Sequence, residues 1–99
     1  MIFIIDDDVS IRRAYKNLLH SSDLESKSFG TAEEFLAHTK LTATDLIILD
    51  IKMPGMSGID LLKELEARSI KAKIIIVSAF VDSNIQQLAR DYGVVAVLR

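Results

Sequence analysis

Short apolar runs alternate with amphipathic stretches along the whole chain, and this alternation selects a parallel α/β sheet over a helical bundle or a β-sandwich. Five runs predict five strands: Ile2 to Ile5, Leu24 to Phe29, Asp45 to Leu49, Lys73 to Val77 and Val94 to Leu98. The first is continuously apolar, and so are the third and fourth after their leading Asp45 and Lys73, as strands covered on both faces should be. The second is polar in its middle (Glu25-Ser26-Lys27-Ser28), which marks an edge strand.

Between the first two runs, Ile11, Ala14, Tyr15, Leu18 and Leu19 fall at i, i+3, i+4, i+7 and i+8. That spacing makes one stripe of a core-facing helix, with Arg12, Arg13 and Lys16 on its other side. Thr31-Ala32-Glu33-Glu34 reads as a capping box for a second helix ending near His38. Ser57-Gly58-Ile59-Asp60 opens a third in the same way, running to about Arg68. Ile85, Leu88, Ala89 and Tyr92 stripe a fourth, which Gly93 ends. The order is therefore βαβαβαβαβ. Taking the doubly wound strand order 2-1-3-4-5, right-handed crossovers place the first helix on one face and the other three on the opposite face. Strand order then reverses between strands 1 and 3, so a ligand should sit outside their carboxyl ends.

Composition narrows the function. With 99 residues, 49% hydrophobic and 26% charged, the chain fits one small domain with a single core. The absence of cysteine excludes a disulfide scaffold, a thiolate zinc site and a cysteine nucleophile, and suits a cytoplasmic location. A net charge of -2 and a pI near 5.6 argue against this chain itself binding a phosphate backbone, so nucleic acid would need another domain. Apolar runs such as Leu46-Ile47-Ile48-Leu49 and Ile74-Ile75-Ile76-Val77, none of them longer than five residues, fall far short of the roughly 20 residues of a membrane span. Ile2 to Ile5 lacks the preceding basic residues of a signal peptide.

Carboxylates converge on the expected crevice. Strand 1 runs into Asp6, Asp7 and Asp8, and strand 3 runs into Asp50. Asp8 is read as a cap of the first helix. Asp6, Asp7 and Asp50 together are harder to explain structurally, because two unit charges about 4 Å apart repel by about 4 kcal/mol at an effective dielectric of ~20. Either a carboxyl group keeps its proton or a cation is bound. An oxygen-only donor set, with no histidine or cysteine near, favours a hard ion such as Mg²⁺. A carboxylate-held divalent ion suits in-line phosphoryl transfer, and an aspartate can itself be the nucleophile. Ser78 ends strand 4 on the same sheet edge, where its hydroxyl could bond a phosphoryl oxygen. Met53-Pro54-Gly55-Met56-Ser57-Gly58 forms a compact turn after Asp50, from which the Lys52 carbonyl could face the metal. The Lys52 side chain is read as a solvated surface cation, His20 and His38 as structural residues near helix ends, and Met53 and Met56 as packing residues.

Ile4-Ile5-Asp6-Asp7-Asp8, Asp50-Ile51-Lys52-Met53-Pro54-Gly55-Met56-Ser57-Gly58 and Ser78-Ala79-Phe80 fall in order across essentially the whole chain. In these motifs the chain resembles the receiver domain of two-component response regulators, which implies a flavodoxin-like fold. The resemblance implies that Asp50 is the phosphoacceptor, taking a phosphoryl group from a histidine kinase's phosphohistidine or from a small acyl phosphate. It implies that Asp6 and Asp7 position Mg²⁺ together with Asp50 and the Lys52 main-chain carbonyl, and that Ser78 is the switch hydroxyl. The family's aromatic switch position in strand 5 is Val97 here, so the aromatic part of the mechanism is not carried over. The implied protein is a cytoplasmic phosphoacceptor that assists its own phosphorylation and dephosphorylation, not a stand-alone enzyme.

Arg99 stands one residue before the family's Lys-Pro motif and fifth helix, so residues 1–99 are read as a receiver domain incomplete at its C-terminus. One face of strands 3, 4 and 5 is then expected to lie bare. Residues past Arg99, a second copy or a swapped chain would cover it. Two other functions are weighed. An aspartate-nucleophile phosphohydrolase should carry a second aspartate two residues after the nucleophile, where this chain has Lys52. A pseudo-receiver that binds a partner without phosphorylation should have lost its acidic pair or acceptor, and both are present.

Overall fold

The computed structural model describes all residues except Thr39, Pro54, Phe80 and Arg99, and the side chain of His38. Sequence expectations that fall on those positions lie outside the described residues. The strands are β1 (Ile2–Ile5), β2 (Ser26–Phe29), β3 (Leu46–Asp50), β4 (Lys73–Val77) and β5 (Ala96–Leu98). They alternate with the helices α1 (Val9–Ser21), α2 (Ala32–His38), α3 (Gly58–Ala67) and α4 (Ser83–Asp91). One sheet of order β2-β1-β3-β4-β5 results, with every pairing parallel. This is the doubly wound arrangement expected from the alternation.

The two faces of the sheet are covered unequally. On one face Phe3, Ile5, Ile47, Leu49, Ile74 and Ile76 are buried against Phe35 of α2, Leu61, Leu62 and Leu65 of α3, and Ile85 and Ala89 of α4. The rings of Phe3 and Phe29 each meet Phe35 edge-on with centroids 5.5 Å apart, anchoring α2 over β1 and β2. On the other face Ile4 is fully buried, while Ile48, Ile75 and Val77 are only half-buried. The expected core-facing stripe of α1 needs correction here. The helix packs on β1 and β2, but it contains no buried residue, and Ile11 and Leu18 remain 41% and 63% exposed. Its flank borders an open groove over β3 and β4 instead of a packed neighbour.

Helix endings explain why two strands start later than the apolar runs suggest. α1, α3 and α4 each finish with a residue of positive φ, Asp23 (φ 60°), Ser69 (φ 55°) and Gly93 (φ 66°). The next residue turns back onto its own helix in each case: Leu24 N–H donates to Leu19 O (2.9 Å), Ile70 to Leu65 O (2.9 Å) and Val94 to Ala89 O (2.8 Å). These are Schellman closures, and they withdraw Leu24 and Val94 from β2 and β5. β3 is also shifted by one residue, so Asp50 is its last member and Asp45 lies outside it. There Thr42 N–H and the terminal amino group bond the Asp45 carboxylate and hold its pKa below the ordinary value.

At the helix starts, Asp8 caps α1 through Ser10 N–H (2.8 Å) and Ile11 N–H (3.3 Å). Ser57 and Asp60 form a complete capping box on α3. At Thr31 the forward half of the expected box is present, Glu34 N–H donating to Thr31 Oγ1 at 3.1 Å.

The start of α3 is pressed against the end of β3, because Gly58 N–H donates to Ile51 O (3.0 Å). A Cβ on Gly58 would lie 2.6 Å from Asp50 O and 2.7 Å from Ile51 Cα, both backbone atoms that cannot swing aside. Gly58→Ala should therefore destabilise the domain by about 2–3 kcal/mol. Chemical denaturation of the variant and parent measures that difference, and a change under about 0.5 kcal/mol would show that the turn yields freely.

Candidate functional site

The parallel register pairs Ile5 with Leu49, so the next residue of each strand, Asp6 and Asp50, emerges at the same edge of the sheet. Asp7 follows from β1. Carboxylate oxygens of Asp6, Asp7 and Asp50 come within 4.8 Å of one another, with Asp6 buried, Asp50 half-buried and Asp7 exposed. Backbone donors hold two of the three. Asp8 N–H bonds Asp6 Oδ1 (2.9 Å) and Lys52 N–H bonds Asp50 Oδ1 (3.2 Å).

Burial is the main cause of the electrostatic cost. It pushes the Asp50 pKa up from 3.8 to about 6, the Lys52 N–H bond opposes that rise, and the charges of Asp6 and Asp7 add to it. Asp6 is also raised, first by burial and then by Asp7 and Asp8, against the Asp8 N–H bond and the nearby Arg12. Three carboxylates from two strand ends, with no soft donor among them, make a donor set suited to a hard divalent cation. The residues therefore fit a metal ion.

A groove of about 590 Å³ opens beside the cluster, lined by Asp6, Asp50, Lys52, Val77, Ser78 and Ala79 and by the exposed flank of α1. Ser78 is buried directly after β4, and its N–H donates to Leu98 O (2.9 Å), which ties the end of β4 to β5. Lys52 is exposed on the groove's rim. Asp6, Asp7, Asp50, Lys52 and Ser78 are thus brought together as the sequence suggests. Val97 of β5 is half-buried and packs against the core. His20 sits in the last turn of α1, at the opposite end of that helix from Asp8. Met53 is buried in the core, and Met56 packs against it.

The structure adds three residues. Arg12, which the α1 pattern leaves among the outward charges, donates from Nη1 to Asp6 O (2.7 Å) and lies 3.1 Å from where a Cβ on Gly30 would sit. Asp82 caps α4 by accepting Ile85 N–H at 2.9 Å. Glu33 of α2 accepts a bond from Met56 N–H in the turn after Asp50 (3.2 Å). The i+6 step of Arg12 back to Asp6 was the signal most open to sequence reading, since a helix that begins after only three intervening residues, Asp6 to Asp8, brings its first turn over the strand end.

A family profile described as response regulator receiver domain matches residues 2–99. The chain belongs to that family. Nodulation protein W of Bradyrhizobium diazoefficiens is 38% identical to this receiver domain over 82 residues, covering 83% of this chain and 36% of that protein. The DNA-binding transcriptional regulator NtrC of Salmonella typhimurium is 35% identical over 97 residues, covering 93% of this chain and 21% of that protein. The chain therefore spans a minority of the length of each. The solved response regulator StyR superposes with a TM-score of 0.90 at 36% identity, over 98% of this chain and 49% of that one. The flavodoxin-like, doubly wound fold is shared with that structure.

The raised pKa of Asp50 has a consequence for stability. The folded chain binds this proton more tightly than the unfolded chain, so the group's contribution is most favourable below about pH 4. That contribution is lost as pH rises through about 6. Asp50→Asn removes the charge without changing shape. In metal-free solution it should match the parent near pH 4 and exceed it at pH 7 by on the order of 1 kcal/mol, after allowing for solvent screening of a partly exposed site. Thermal unfolding across that range tests the sign, and a variant less stable than the parent at pH 7 contradicts it.

Proposed function

We propose that this receiver domain is a phosphorylation-dependent switch of a two-component system in which Asp50 accepts the phosphoryl group. The observation that carries the reading is the convergence of Asp6, Asp7 and Asp50 within 4.8 Å at one sheet edge, with the Asp50 carboxyl group raised to about 6 by burial and its acidic neighbours. Above that pH the Asp50 carboxylate is a charged nucleophile whose neighbours repel it, and a cation would relieve that repulsion.

Asp6, Asp7, Asp50 and the Lys52 main-chain carbonyl would hold Mg²⁺. That ion would neutralise the cluster and polarise the phosphoryl oxygens during in-line transfer. Each side chain then has a distinct task. The main-chain Lys52 N–H holds Asp50 through Oδ1, and Asp50 lines the groove. A carboxylate oxygen of Asp50 attacks the phosphorus of a histidine kinase's phosphohistidine or of a small acyl phosphate. The bond from phosphorus to the imidazole or acyl oxygen breaks, its electrons leave with the donor, and an aspartyl phosphate remains. Ser78 is buried beside the groove at the end of β4, and its hydroxyl would bond a phosphoryl oxygen as the switch group. Through Ser78 N–H on Leu98 O, a displacement of Ser78 toward the phosphoryl group would be passed directly to β5.

The domain assists this transfer and its reversal and is not a stand-alone enzyme. It would act in the cytoplasm, where a histidine kinase can reach it; among the described residues no helix is long and apolar enough to cross a membrane. Any contact with nucleic acid is assigned to an output domain. NtrC is named as a DNA-binding regulator, and its length far exceeds the matched segment.

Incubation with acetyl phosphate and Mg²⁺ should add one phosphoryl group per chain, removable by base as expected of an acyl phosphate. Chelation of the metal should abolish labelling, and Asp50→Asn should remain unlabelled. Equal labelling of Asp50→Asn and the parent would move the acceptor elsewhere.

A further inference from the structure

The turn that leaves Asp50 is gripped from outside by a residue of another helix. Glu33, in the first turn of α2, accepts the Met56 N–H at Oε1 (3.2 Å), across 23 positions of sequence. Its second oxygen, Oε2, lies 3.0 Å from the place where a Cβ on Gly55 would stand. Gly55 itself has φ +72°, a conformation glycine adopts without strain. The Glu33 carboxylate therefore lies directly against the apex of the turn, and the missing side chain at position 55 leaves room for that approach. Placement in the first turn of α2 favours the negative charge, since backbone N–H groups point out of that helix end.

The same turn is fixed at its other ends. Lys52 N–H reaches Asp50 Oδ1, Gly58 N–H reaches Ile51 O, and Ser57 is locked into the α3 capping box. Lys52, Met53 and Gly55 to Gly58 thus belong to a short bridge that is tied to α2 at Met56 by a charge-assisted bond. The Lys52 carbonyl belongs to this bridge, so its aim depends on where the bridge is held.

We propose that Glu33 is a positioning residue: by clamping the turn through Met56 N–H, it sets how well the Lys52 carbonyl is presented to a divalent cation at Asp6, Asp7 and Asp50. The inference rests on the reading of that cluster as a Mg²⁺ site. Glu33 does not touch the ion. Its effect is on metal affinity, through the bridge, and not on the maximal rate of phosphoryl transfer once the metal is bound.

Glu33→Ala and Glu33→Gln in the 99-residue chain separate clamping from charge. Glutamine keeps a carbonyl oxygen able to accept Met56 N–H, whereas alanine does not. Hydrogen exchange at the Met56 amide should accelerate in Glu33→Ala and stay near the parent in Glu33→Gln. The Mg²⁺ concentration for half-saturation, followed by calorimetry or amide shifts, should rise about threefold to tenfold in Glu33→Ala. That is at or below the lower end of the effect of losing a group that orients a metal ligand, because this contact is exposed. Glu33→Gln should restore it, and labelling by acetyl phosphate at saturating Mg²⁺ should be equal in all three.

An unchanged Met56 exchange rate, an unchanged half-saturation in Glu33→Ala, or equal loss in both variants overturns the clamp. A parent chain that binds no Mg²⁺ overturns the reading of the acidic cluster instead, while Met56 exchange still reports whether the Glu33 contact exists.

Discussion

The parallel pairing of β1 with β3 is the constraint on which the rest of the molecule depends. Its register aligns Ile5 with Leu49 and so obliges the next residues, Asp6 and Asp50, to share one edge of the sheet. Bringing carboxylates together in partial burial is unfavourable, and the raised pKa values of both residues record that cost. It is tolerated because the strands themselves are fixed by fully buried side chains, Ile4 and Ile5 on one and Ile47 and Leu49 on the other. Burying each such side chain contributes about 1.5–3 kcal/mol. The core thus holds in place an arrangement that the charges alone would disperse.

Unequal covering of the sheet determines where that arrangement meets solvent. Three helices and the phenylalanine trio close one face, so the acidic edge is approached from the other, beside α1 and over β3 and β4. α1 is consequently less a core helix than a wall of the groove. Its N-terminal turn is tied to the acidic edge twice. Asp8 starts the helix directly after the acidic pair, and one turn later Arg12 reaches back to the Asp6 carbonyl. That guanidinium also lowers the proton affinity of Asp6, a partial internal offset to the repulsion among the carboxylates.

Most of the fold and the acidic cluster were legible in the sequence because they rest on periodicity and on strand-end position, both local properties. Ile47 and Leu49 point inward because a strand alternates, and Asp50 reaches the crevice because a parallel strand ends there. What escaped has a physical reason in each case. Leu24 and Val94 look like strand residues by hydrophobicity, yet they are the apolar closures of Schellman turns, and Asp23 and Ser69 take left-handed conformations that glycine alone would have signalled. The α1 stripe satisfied a helical period, but periodicity says which side is apolar and not whether a neighbour covers it. Glu33 and Met56 meet only after α2 and α3 have docked on the same face. Nothing in either segment alone marks that contact.

The turn between Asp50 and α3 shows how closely the site's chemistry is tied to backbone geometry. Gly58 has no Cβ because Asp50 O and Ile51 Cα already occupy that space, and Gly55 has none where the Glu33 carboxylate lies. With the side chains removed, hydrogen bonds define the path: Lys52 N–H to Asp50 Oδ1, Met56 N–H to Glu33 Oε1 and Gly58 N–H to Ile51 O. The first of these ends on the carboxylate that is the proposed reaction centre. Conversion of Asp50 from a carboxylate to an acyl phosphate would leave Lys52 N–H facing a weaker acceptor, or move it to a phosphoryl oxygen, since bonds to ionised oxygens are roughly twice as strong as neutral ones. The other two bonds do not involve Asp50 and would persist. A backbone change started by phosphorylation of Asp50 would therefore begin at Lys52 and meet the Met56 and Gly58 bonds as fixed points, while Ser78, bonded to Leu98 O, would offer a separate link to β5.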